Sequence, residues 1–67
     1  MLKVSINGNE VDVEENSSIQ ELLDSRKVTG KMFVVERNLE VVPKDQYEKI
    51  KVQSNDSYEI VGFFGGG

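Results

Sequence analysis

Tyr58-Glu59-Ile60-Val61-Gly62-Phe63-Phe64-Gly65-Gly66-Gly67 closes the sequence, an alternating apolar run that gives way to three residues without side chains. Read with a period of two, Tyr58, Ile60, Gly62 and Phe64 share one face of a strand, and Glu59, Val61 and Phe63 share the other. Tyr58 and Ile60 are assigned to a core. Val61 and Phe63 then stand exposed beside the tail, which suits a docking surface. At an average Gly usage of roughly 7%, three terminal glycines arise by chance in about one chain in three thousand, so chance explains them poorly. Lacking Cβ, a Gly65-Gly66-Gly67 tail can thread a channel too narrow for ordinary side chains. Extended, it carries its carboxylate about 10 Å beyond Phe64, far enough to enter the active site of another protein. The same residues also read as a frayed end or a flexible spacer.

The remaining composition narrows the function. A chain of 67 residues forms one domain with one small core. It contains neither Cys nor His. A disulfide, a thiolate metal site, a cysteine nucleophile and the usual general base are therefore unavailable, which argues against a self-contained hydrolase or transferase. The formal charge is −4, and no run of Lys and Arg exists to track a phosphate backbone, so nucleic acid is not an expected partner. The opening Met1-Leu2-Lys3-Val4-Ser5-Ile6 has no apolar stretch of signal-peptide or membrane-span length, and a cytoplasmic protein is expected.

Upstream of the final strand, Leu2, Val4 and Ile6 alternate with polar residues, as do Val11 and Val13. Asn7-Gly8 between them tolerates positive φ, so the two runs read as a β-hairpin. Ser18-Ile19-Gln20-Glu21 has the form of a capping box, followed by Ile19, Leu22 and Leu23 on one helical face. A helix this short needs a sheet to pack against. Val28-Thr29-Gly30 marks its expected end. Met32-Phe33-Val34-Val35-Glu36 reads as a third strand, central or apolar on both faces. A reversal over Arg37-Asn38-Leu39-Glu40 and a short strand at Val41-Val42 follow, stopped by Pro43. Lys44 to Glu48 suits a helical turn that lays Tyr47 on the domain. Lys49 to Val52 reads as a further short strand, and Ser54-Asn55-Asp56-Ser57 as the turn into the last one. The pattern is α+β, with one helix across a mixed sheet.

With these residues in order, the chain resembles the ThiS family, the small sulfur carriers of thiamin biosynthesis with a ubiquitin-like β-grasp fold. The resemblance runs along essentially the whole chain. Its markers are the hairpin at Asn7-Gly8, the capped helix from Ser18, Val41-Val42-Pro43, Tyr47, Asp56, Glu59-Ile60-Val61, Phe63 and Gly65-Gly66-Gly67. It implies a sheet of four to five strands with one main helix, a domain over 1–64 and a flexible tail over 65–67. Three positions depart from the family pattern. Leu39 follows Asn38 where the family often has Gly, implying a longer or differently shaped turn. Gly62 and Phe64 stand where larger and smaller residues, respectively, are usual.

The chemistry implied by the resemblance centres on Gly67. A terminal carboxylate, with a pKa of roughly 3.3–3.7, is anionic near neutral pH and a poor electrophile. A ThiF-type adenylating enzyme using MgATP would activate it, a sulfur-donating persulfide protein would convert it to a thiocarboxylate, and a ThiG-type thiazole synthase would accept the sulfur. Gly65 and Gly66 would thread the partner's active site, while Val61, Phe63 and Phe64 would dock. The chain itself would supply no catalytic side chain, metal or bound cofactor, and a chain ending at Gly67 would need no processing protease. The small subunit of molybdopterin synthase, a ubiquitin-like covalent modifier and a non-covalent β-grasp binding module are the competing readings.

Overall fold

The structure is a computed structural model, and it describes residues 1–28 and 32–62. Five strands, β1 (Leu2–Ile6), β2 (Asn9–Val13), β3 (Phe33–Arg37), β4 (Glu40–Val41) and β5 (Ser57–Gly62), form a sheet in the order β2-β1-β5-β3-β4. One helix, α1 (Ile19–Ser25), and a 3₁₀ turn (Lys44–Gln46) complete the regular elements among the described residues. β1 pairs parallel with β5, and the other pairings are antiparallel. The last strand is thus the middle one, and the remaining strands flank it.

The Asn7-Gly8 turn forms as the sequence implies. Ile6 faces Asn9 across a two-residue loop in which Asn7 (φ 50°) and Gly8 (φ 86°) both take left-handed conformations. This is the turn geometry whose twist matches that of the strands it joins. The capping box is also present. The Glu21 amide donates to Ser18 Oγ at 3.1 Å, and the Ser18 amide donates to Glu21 Oε1 at 2.8 Å.

α1 ends earlier than Gly30. Lys27 takes a left-handed conformation (φ 59°), its amide donates to Asp24 O, and the Val28 amide donates to Leu23 O. These bonds make a Schellman ending with Lys27 in the place glycine usually holds. Val28 packs on the core beyond it. Thr29 and Gly30 lie outside the described residues.

β3 is an interior strand, as one of the two expected arrangements has it, pairing with both β4 and β5; it is covered on one face only, with Val35 buried and Val34 on the opposite face 48% exposed. Two further expectations change. Residues 49–52 form no strand. Their backbone instead latches the entry to α1, with Ile19 N–H donating to Ile50 O at 3.0 Å and Val52 N–H to Ser17 O at 2.8 Å. The reversal at Asn38-Leu39 is no longer than usual, because Arg37 faces Glu40 across two residues with φ of 51° and 74°. Leucine thereby adopts the backbone that glycine would, a conformation costing an L-residue roughly 1–2 kcal/mol.

The core lies between α1 and one face of the sheet. It comprises Val4 and Val13 from the first hairpin, Ile19, Leu22 and Leu23 from α1, and Val35, Val42, Tyr47, Val52, Tyr58 and Ile60. Phe33 stacks on Tyr47 with ring centroids 6.2 Å apart, which fixes the 3₁₀ turn against β3. At roughly 1.5–3 kcal/mol for each fully buried aliphatic side chain, this single layer is the main source of stability. Among the described residues, the opposite face of the sheet carries no helix.

Candidate functional site

β5 is held at both ends by asparagines from left-handed turns. At its start, Asn38 Oδ1 accepts the Ser57 amide at 2.9 Å, and Asn38 Nδ2 donates to Asp56 Oδ1 at 3.1 Å. Near its end, Asn7 Oδ1 accepts the Ile60 amide at 2.8 Å, and Asn7 Nδ2 donates to the Ile60 carbonyl at 3.1 Å. The Asn7 amide acts as one more peptide unit of β1, extending the pairing past Ile6. Val61 and Gly62 follow directly.

Asp56 anchors the entry to the strand. Its side chain is buried and accepts from Arg37 Nε (3.0 Å), Asn38 Nδ2 (3.1 Å), the Gln53 amide (2.8 Å) and Tyr58 Oη (2.9 Å). Burial pushes the Asp56 carboxyl up, but the four donors outweigh it and hold the group below its ordinary value. Burial, reinforced by the Asp56 carboxylate, raises the Tyr58 phenol above its ordinary value. Both groups therefore remain in the states the network requires near neutral pH.

The open face of the sheet carries exposed valines near the described end of β5. Val61, 65% exposed, faces Val34 on β3 in register. One row back from the tail, Glu59 faces Glu36, and Val41 on β4 lies on the other side of Glu36. Met32, immediately before β3, is also exposed. Gly62 is required where it stands, since a Cβ there would overlap Met32 O and lie 2.5 Å from Phe33 Cα. The strand can approach β3 this closely only without a side chain.

Of the docking residues read from the sequence, Val61 is on this surface. Phe63, Phe64, Gly65, Gly66 and Gly67 lie outside the described residues, as does the boundary between the domain and its tail. The docking residues expected from sequence do not include Val34, Val41 or Glu36, although period-two alternation from buried Val35 places Val34 and Glu36 on one face. The pairing that brings them beside β5 is a matter of topology. Among the described residues, no group of three or more carboxylates stands in metal-binding proximity. No helix among them is long and apolar enough to cross a membrane. The four charged residues of the hollow lined by Gln20, Lys44, Asp45, Glu48 and Lys49 are all exposed to solvent.

A mixed five-stranded sheet with one helix across it, and its middle strand running out into a glycine tail, defines a ubiquitin-like β-grasp protein. The model of the ThiS family matches residues 3–67, and the chain belongs to that family. It is 37% identical over 65 residues to the sulfur carrier protein ThiS of Bacillus subtilis, covering 96% of this chain and 98% of that one. It is 41% identical over 66 residues to a thiazole synthase of Paramagnetospirillum magneticum, covering 98% of this chain but spanning only 20% of that protein's length. The crystal structure of the thiamine biosynthesis protein ThiS from Geobacter metallireducens superimposes with a TM-score of 0.82 at 30% identity, covering 98% of this chain and all of that one.

Proposed function

We propose that this protein is a sulfur carrier for thiazole formation in thiamin biosynthesis, with Gly67 as the terminal residue that carries the sulfur. The observation that carries the proposal is the ThiS family match through Gly67. It is supported by the exposed Val34–Val61 row at the described end of the central strand. In the proposed reaction a Gly67 carboxylate oxygen attacks the α-phosphorus of MgATP held by a ThiF-type partner, pyrophosphate leaves, and an acyl adenylate forms. A persulfide sulfur then attacks the acyl carbon and AMP departs. A second thiol attacks the donor's sulfur in the resulting acyl disulfide, giving a new disulfide and releasing the thiocarboxylate.

The carrier's part is to bind and to deliver. In this reading Gly65 and Gly66 admit close approach to the nucleotide, and Val61, Phe63 and Phe64 contribute apolar contact. A chain without Cys or His offers neither a thiol nor an imidazole base, so in this reading its one reacting group is the Gly67 carboxylate and the other bond-making groups belong to the partners. A thiazole synthase is the proposed acceptor, in keeping with the thiazole synthase that includes a segment similar to this chain. A variant extended by one tryptophan after Gly67 tests the assignment. It should fold as the parent does yet accept no adenylate, and normal charging of it would refute the role of the terminal carboxylate.

A further inference from the structure

Glu36 and Glu59 face each other on adjacent strands of the open sheet face, and among the described residues no cation pairs with either. The nearest arginine in sequence, Arg37, is held by Asp56 on the helix side. Lys3, on the open face of β1, is paired with Asp12 at 2.6 Å. Like charges placed directly opposite one another weaken a sheet. The two carboxylates also border the Val34–Val61 row, so a surface covering the valines next to the tail must meet the acids too.

We propose that this row of two valines and two carboxylates is a single docking epitope for the adenylating enzyme, whose matching surface presents an apolar contact to Val34 and Val61 and an arginine to Glu36 and Glu59. The inference rests on the reading of the chain as a carrier activated with ATP. A guanidinium fits because its planar fork of N–H donors can bond two carboxylates at once, whereas an ammonium is a compact point charge. The adenylating enzyme is the fitting partner on charge grounds. It must hold a polyphosphate with cations and bring a carboxylate anion up to it, so positive potential around the channel mouth serves both the nucleotide and the acidic face of the carrier. The five residues after Gly62 span at most about 18 Å, which places the α-phosphorus within that distance of the end of β5.

The test measures ATP–pyrophosphate exchange by the adenylating enzyme as a function of carrier concentration, at low and at physiological salt, with the Glu36→Gln/Glu59→Gln double variant. The KM for the carrier should rise about tenfold or more while kcat stays within about twofold, and the salt dependence of KM should flatten. The thermal midpoint of the free variant should equal or exceed that of the parent, an outcome that a purely structural role for the pair would not give. Glu10→Gln, on the same face but away from the valines, serves as control and should leave KM within about twofold. Exchange with the parent and an unchanged KM in the double variant would overturn the epitope alone, as would an equal rise in the Glu10 control. No exchange with the parent would overturn the carrier reading and the epitope together.

Discussion

Replacing Asp56 with alanine removes the anchor at the entrance to β5, and the size of the effect follows from what is left behind. Asp56 is 5% exposed, and its carboxylate accepts from four separate groups. Its loss leaves the Arg37 guanidinium without its buried counter-charge and the Tyr58 hydroxyl without its acceptor. Breaking a buried charged pair in this way costs about 3–5 kcal/mol. A domain of this length has a total stability of about 3–10 kcal/mol, so the loss is a large share of it. For a domain of this size, the thermal midpoint should fall by at least about 12 °C.

Urea unfolding followed by circular dichroism, at pH 7 and at a series of lower pH values, measures the effect. Because the folded state lowers the Asp56 pKa, the contribution is fully present above the ordinary carboxylate value of about 3.9 and is lost as pH falls through the lower folded value. Parent and variant should therefore converge at low pH. The Tyr58 phenol acts in the opposite sense: its stabilisation is complete below about pH 10 and is lost as pH rises through its raised folded value. A loss below about 1 kcal/mol for Asp56→Ala at pH 7, in the range of an ordinary surface substitution, would refute the reasoning.

Asn7→Ala removes both bonds to Ile60 and should cost about 1–3 kcal/mol by urea unfolding, with faster amide exchange at Ile60. Leu39→Gly should stabilise by about 0.5–1 kcal/mol, because glycine relieves the left-handed backbone at the price of some unfolded-state entropy; a lower midpoint would contradict the turn geometry. Gly62→Ala should leave the core folded but open the end of the β3–β5 pairing, seen as loss of amide protection confined to residues near Phe33 and Gly62.

Local physics made much of this fold legible in the sequence. Asn7-Gly8, the Ser18–Glu21 box and the alternation of Tyr58 and Ile60 each act within a few residues, and each appears in the structure as read. Elements whose conformation depends on distant partners were less legible. Residues 49–52 alternate like a strand, but they are drawn into bonds with Ser17 and Ile19. Lys27 and Leu39 occupy glycine-like backbone positions that their own preferences oppose, so neither the early end of α1 nor the tight second hairpin shows in their side chains. The candidate site divides in the same way. Val61 follows from alternation along one strand, whereas its pairing with Val34 and the meeting of Glu59 with Glu36 depend on the strand order. Asp56 looks like a turn residue in sequence and becomes a buried anion only when Arg37 and Tyr58 converge on it.

Intact-protein mass spectrometry of the carrier, after incubation with MgATP, the adenylating enzyme and a persulfide donor, tests the proposed chemistry most directly. Fragmentation then locates any change. The expected result is a mass gain equal to exchanging one oxygen for sulfur, confined to Gly67 and dependent on ATP. A folded carrier whose mass is unchanged, beside an enzyme shown to be active on another carrier, would contradict it.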